Sequence, residues 1–124
     1  MAKLKQSEIK KVREELLVKQ GGVCAMCQMP LDTADAVLDH NHATGYVRGV
    51  CHRGCNGAEG RILNAIRRSG AVSTMSLLEG LVAYYKLHAE PKTDMIYPSF
   101  KTPEERKALA KKRRARRKSK SERH

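Results

Sequence analysis

Residues 36–56 read AVLDHNHATGYVRGVCHRGCN. A short apolar run, Ala36-Val37-Leu38, leads into the polar Asp39-His40-Asn41-His42. Ala43-Thr44-Gly45 then supplies turn chemistry, and Tyr46-Val47-Arg48-Gly49-Val50 resumes an extended pattern. Two β-prone segments about a glycine-bearing turn predict a hairpin over 36–50, with strands at 36–40 and 46–50. Cys51, His52 and Cys55 follow at once, and Cys24-Ala25-Met26-Cys27 lies upstream. Two thiolates three residues apart close a tight turn around one tetrahedral ion, and a second pair from a distant segment completes the shell. A structural zinc clamping the hairpin is therefore expected. A disulfide framework is the weaker reading, because nothing in the sequence is secretory and paired cysteines in a cytosolic setting more often bind metal.

The fourth ligand stays open on spacing alone. Cys51 gives CxxC…CxxxC, whereas His52 gives CxxC…HxxC, two pairs of equal spacing with Cys51 left as a strand residue. Between the ligand pairs, Asp39 and His40 end the first strand, and Asn56 follows the last cysteine at a predicted helix start. Asn56 also suits an ordinary helix N-cap. An Asp, an Asn and a neutral His held together by a rigid clamp can bind one Mg²⁺ through oxygen and offer a general base. That is the equipment for phosphodiester hydrolysis.

Charge points to a polyanionic partner. The 124 residues carry a formal +12, with 25 Lys and Arg against 13 Asp and Glu. Residues 1–20 hold six basic and three acidic side chains, residues 21–100 hold seven of each, and residues 101–124 hold twelve basic against three acidic. A neutral middle flanked by basic ends favours nucleic acid. No run of 18 apolar residues occurs and no apolar stretch follows the basic start, so neither a membrane span nor a secretory signal is expected. With one Phe and no Trp, the core must be small and mostly aliphatic, and a metal staple suits it.

Outside the hairpin the pattern is helical. Ile9, Val12, Leu16 and Leu17 predict an amphipathic helix over 7–19, capped by Ser7 and stopped by Gly21-Gly22. Turns around Cys24–Cys27 occupy 23–35. A helix over 57–69 should turn Ile62, Leu63 and Ile66 inward and end at Gly70. Ser73–His88 predicts another helix, with Leu77, Leu78, Leu81, Val82 and Tyr85 forming a stripe suited to a core or a dimer interface. An irregular linker fills 91–101. Thr102-Pro103-Glu104-Glu105 is a capping-box helix start. The basic run after it lacks an apolar face and predicts nascent helix or disorder when free. The expected organisation is a basic N-terminal helix at 1–22, a zinc-stabilised core at 23–70, a helix and linker at 71–100, and a basic nucleic-acid-binding tail at 101–124.

The order of these motifs (CxxC, then LDHNHATGYVRGV at 38–50, then CHRGCNGAEG at 51–60) resembles the phage recombination endonuclease VII family of the His-Me finger, HNH-like superfamily. The resemblance covers residues 22–62. It implies a mostly α chain around a small zinc-stapled ββα-metal nuclease core. It implies that Asp39 and Asn56 hold a catalytic Mg²⁺ (Mn²⁺ substituting), that His40 activates water, and that His42 supports the site. Glu59 matches an accessory acidic residue, and Cys24, Cys27 and Cys55 match three zinc ligands. The family pattern R-G-L-L-C-x-x-C-N, laid without a gap on Arg48–Asn56, puts its first cysteine on His52 and a leucine on Cys51. This favours His52, with Cys51 the alternative.

The implied activity is endonucleolytic cleavage of duplex or branched DNA to a 3′-hydroxyl and a 5′-phosphate. Junction resolution would need two sites and hence a homodimer. The expected setting is DNA recombination in the cytoplasm, the host's if a bacteriophage encodes the chain. Arg48 and Arg53 flank the site and can clamp phosphates. No base-reading motif is present, so any selectivity would come from DNA shape. The rivals are a zinc-stapled DNA-binding protein that does not cut and a small zinc protein that binds structured RNA. The presence of Asp39, His40 and Asn56 together separates the nuclease from both.

Overall fold

In the computed structural model, which describes residues 3–71 and 73–123, the elements are α1 (Ile9–Lys19), β1 (Ala36–His40), β2 (Val47–His52), α2 (Arg53–Ser69), α3 (Thr74–Leu87) and α4 (Pro103–Glu122). The chain divides within α3 into two units, Met1–Ala83 and Tyr84–His124.

In the first unit a short 3-10 turn, Gln6–Glu8, precedes α1. Ser7 does not cap it. The Glu8 carboxylate instead accepts from the Lys5 backbone N–H at 3.0 Å. Helix α1 ends in a Schellman motif: Gly22 N–H donates to the Leu17 carbonyl and Gly21 N–H to that of Val18, both at 3.0 Å. Both glycines are left-handed, with φ of 75° and 74°, which a side chain would strain.

Strands β1 and β2 pair antiparallel, from Ala36 opposite His52 to His40 opposite Val47. Strand β2 begins one residue later and ends two residues later than the sequence suggested. Asp39 pairs with Gly49 and His40 with Val47, so the register slips at this point and Arg48 is left over. One extra residue on one strand is a β-bulge, which re-aims the side chains around it. The hairpin loop is organised by Asn41, whose Oδ1 accepts from Ala43 N–H at 2.8 Å and Thr44 N–H at 3.1 Å. Gly45, at φ 79°, closes it.

Helix α2 starts at Arg53, four residues earlier than expected, directly after β2. Asn56 therefore lies inside its first turn and is not its N-cap; His52 holds that position. Ile66 is buried, Leu63 half-buried, and Ile62 faces outward at 49% exposure, so the predicted inward set is only partly correct. The core is small, as the composition demanded: Leu17, Cys24, Leu31, Ala36, Val50 and Cys51, with Leu16, Met26, Val37, Leu38 and Cys55 packed around them.

One polar residue fastens α1 to the sheet. The Gln20 side-chain amide donates to the carbonyls of Val23 and Val50, both at 2.9 Å, and accepts from Val50 N–H at 2.8 Å. Gly49 permits this approach, because a Cβ there would lie 3.1 Å from Ala25 Cβ and 3.2 Å from Gln20 Oε1. Val50 is fully buried. Gln20→Ala should therefore strand its backbone groups and destabilise the fold by about 1–3 kcal/mol. Chemical denaturation of zinc-loaded protein, read as a fall in midpoint at constant slope, checks this.

Helix α3 carries no fully buried residue; of the apolar stripe expected to suit a core or a dimer interface, Leu77 and Leu78 are half-buried and Leu81, Val82 and Tyr85 are exposed. Beyond it no regular element forms until Thr102, whose Oγ1 accepts from Glu105 N–H at 3.2 Å and caps α4. Helix α4 runs for 20 residues, where the sequence reading expected nascent helix or disorder. Alanine, leucine, lysine and arginine are all strong helix formers, and here their summed propensity and the Thr102 cap suffice without an apolar face. No helix among the described residues is long and apolar enough to cross a membrane.

Candidate metal centre and hairpin site

The segment from Val23 to Pro30 folds back on itself, joined by an isolated bridge between those two residues. Gln28 N–H donates to the Cys24 carbonyl at 3.0 Å, and Gln28 itself is left-handed at φ 68°. This tight turn puts the thiols of Cys24 and Cys27 on one side. The end of β2 and the start of α2 bring His52 and Cys55 to meet them. One ligand atom from each of these four residues lies within 4.8 Å of all the others. Cys51 is not among them; it is fully buried in the core.

The donor set fits zinc. The His52 ring Nδ1 lies 3.4 Å from Cys27 Sγ and 3.8 Å from Cys55 Sγ. A tetrahedral site with bonds of about 2.3 Å to sulfur and 2.0–2.1 Å to nitrogen separates such atoms by about 3.5 Å. On the far side of the ring, Nε2 donates to the Pro30 carbonyl at 3.0 Å. That bond fixes the tautomer with the Nδ1 lone pair toward the sulfurs, as outer-shell partners of metal-bound histidines do. A cluster of three cysteines and one histidine able to bind zinc is thus part of the fold.

The thiols differ in acidity. Burial opposes ionisation of Cys24, but the backbone N–H groups of Cys27, His52 and Met26 point at its sulfur from 3.4–3.5 Å. Together with the His52 ring they outweigh burial and bring it down to about 6. Burial, then hydrogen bonding to Cys27 and Cys24, pushes Cys55 up to about 11. Cys51 is also pushed up to about 11, by burial and the nearby Asp39 charge. The Cys24 thiolate raises His52 above the usual imidazole value.

The remaining site residues fall into separate groups. Asp39 is buried at 5% exposure, and its Oδ2 accepts from Arg48 Nε at 2.8 Å. Arg48 Nη2 also lies 3.5 Å from Glu59 Oε1 on α2. The Asp39 carboxylate holds the guanidinium firmly in its charged form. Asp39, Arg48, Gly49, Cys51 and Glu59, with Ala25 and Met26, line a hollow of about 240 Å³. His40 and His42 are exposed, and their rings stack with centroids 4.6 Å apart and planes 30° from parallel. Asn56 is half-buried on the first turn of α2, directly after Cys55 of the cluster, while Arg53 is exposed at the head of that helix.

The sequence reading missed Gln20 and Asn41. A lone glutamine after a helix carries no pattern, whereas Asn41 before Ala-Thr-Gly carried an Asx-turn signal that could have been used. A family model described as recombination endonuclease VII matches residues 2–86, a span holding the metal cluster, the hairpin and α2, and the chain belongs to that family.

Proposed function

We propose that this protein is a Mg²⁺-dependent endonuclease that hydrolyses DNA phosphodiester bonds, nicking duplexes or resolving branched junctions. The observation that carries the reading is the continuous order of metal knuckle, hairpin and helix within a chain of the endonuclease VII family. The Cys24, Cys27, His52 and Cys55 cluster, once it holds zinc, ties the junction of β2 and α2 to the Cys24–Cys27 turn, so the side chains at 39–42 and 56–59 sit on a rigid support.

In this reading His40, at the solvent-facing end of β1, takes a proton from the attacking water. His42, stacked on it, limits its rotation. Asp39 and Asn56 supply hard oxygen donors, the chemistry that suits Mg²⁺. When bound there, the ion neutralises charge on the scissile phosphate and on the leaving oxygen. Arg53 lies on the exposed side, available to a neighbouring phosphate. Incubation with supercoiled plasmid and with a synthetic four-way junction, with and without Mg²⁺, tests the proposal. Mg²⁺-dependent cutting that leaves a 3′-hydroxyl and a 5′-phosphate is expected. Binding without cutting of either substrate would turn the reading into that of a non-catalytic zinc-stapled DNA-binding protein. Faster cutting of the junction, with a dimer in solution, would select the resolvase form.

The second unit supports the same partner. Arg106, Arg113, Arg114 and Arg117 gather along α4 beside Leu109 and Ala110. Such a helix supplies affinity through phosphates and counterion release, with a log–log salt slope that changes by about 0.9 per contact on duplex DNA. Deleting residues 104–124 should flatten that slope by several units and leave zinc content unchanged. Binding of both forms across a salt series checks this, and an identical slope would leave α4 with no role in DNA binding.

A further inference from the structure

Arg48 is the residue that the slipped register leaves over, free of a partner across the ladder. Its side chain is spent on two carboxylates, Asp39 at 2.8 Å and Glu59 at 3.5 Å. The Asp39 side chain is 7% exposed and that of Arg48 is 40% exposed, so the guanidinium joins a buried charge to the open side of the hollow. An unpaired buried carboxylate is costly, and Arg48 offsets that cost. Yet Asp39 is also the carboxylate that the proposed function gives to Mg²⁺. A guanidinium and a divalent cation on the same carboxylate repel each other.

We propose that Arg48 is a two-position residue: it pairs with Asp39 and Glu59 in the cation-free protein, and turns to a DNA phosphate when a divalent cation takes Asp39. This inference rests on the reading of Asp39 as a metal ligand. The planar fork that now bridges two carboxylates matches a phosphodiester equally well. The bulge supports the exchange, because Arg48 has no cross-strand neighbour to hold it. Cation and DNA would then bind with positive coupling, each freeing what the other needs.

The test is a double-mutant cycle on DNA affinity in buffer without added Mg²⁺, using zinc-loaded protein verified by elemental analysis. Asp39→Asn should release Arg48 and tighten DNA binding by about 5–20-fold, within the usual range of site-to-site coupling. In an Arg48→Ala background the same change should give no gain. A gain that persists without Arg48 reflects simple relief of repulsion and overturns the proposal, as does no gain at all. The second measurement is Mn²⁺ affinity by electron paramagnetic resonance, without DNA, for wild type and Arg48→Lys. Lysine keeps the charge and loses the fork, so several-fold tighter Mn²⁺ binding is expected, and equal affinity overturns the competition between Arg48 and the cation. If neither protein binds Mn²⁺, the metal reading of Asp39 itself fails, whereas a flat DNA cycle with intact Mn²⁺ binding rejects only the release of Arg48.

Discussion

Protein stripped of its zinc by a strong chelator should lose the folded hairpin unit, with the cooperative unfolding transition of the first unit absent. The reason is size. Six buried residues form the core, and two of them are Cys24 and Cys51. A domain this thin has little net stability of its own, while structural zinc contributes an apparent 10–16 kcal/mol, roughly, at neutral pH. Elemental analysis of protein purified without chelator should find one zinc per chain.

The ligand set gives the expectation its sharp form. His52→Ala should lose the metal and unfold, whereas Cys51→Ser should keep it. The reverse outcome would make the site a four-cysteine one and discard the His52 geometry. Acidity adds a second handle. The ligands are thiolates and a neutral imidazole, and the zinc-free unit is unfolded, so binding releases thiol protons across the neutral range. Apparent zinc affinity should therefore rise with pH through neutrality. A competition titration with a chromophoric chelator across pH measures the slope.

Which parts of this arrangement could be read from sequence follows from the range of the forces involved. Strand β1 was legible because apolar Ala36-Val37-Leu38 and polar Asp39-His40 mark its two ends. The metal cluster was legible because ligand spacing is a local property. The choice between Cys51 and His52 was not settled by spacing, since it depends on where the end of β2 meets the Cys24–Cys27 turn. Cys51, opposite Val37, is fully buried in the core, while His52 at the end of β2 meets the Cys24–Cys27 turn. The start of α2 was misplaced because Gly54 and Gly57 depress local helix propensity, yet the first turn forms and brings Cys55 to the cluster. The bulge at Arg48 and the grip of Gln20 on Val50 were invisible for a related reason: both are long-range fits between segments whose own patterns are ordinary. In α4 the capped start at Thr102 was legible, and of the two alternatives left open after it, helix or disorder, the helical one forms.

His40→Ala should slow DNA cleavage by about 10²–10⁴-fold, the usual cost of losing a general base, while DNA affinity and zinc content stay at wild-type levels. The structural grounds for a clean separation are strong. His40 is exposed at the end of β1 and its ring stacks only on that of His42, so its removal opens no cavity and breaks no core contact. It also lies outside the cluster of Cys24, Cys27, His52 and Cys55, so the clamp is untouched. Asp39→Ala and Asn56→Ala should lower the rate as well, but by a different route. If they act through Mg²⁺, raising its concentration should restore part of their activity, whereas no concentration of Mg²⁺ supplies the missing base of His40→Ala. His42→Ala removes only the stacking partner and should cost less than either class, because the base itself remains. Single-turnover rates on a nicked or branched substrate, measured at several Mg²⁺ concentrations, separate the three behaviours. Wild-type cutting by His40→Ala would move the base to another residue. Rescue of that variant by added Mg²⁺ would instead place His40 among the cation's ligands and leave water activation to be found elsewhere on the hairpin.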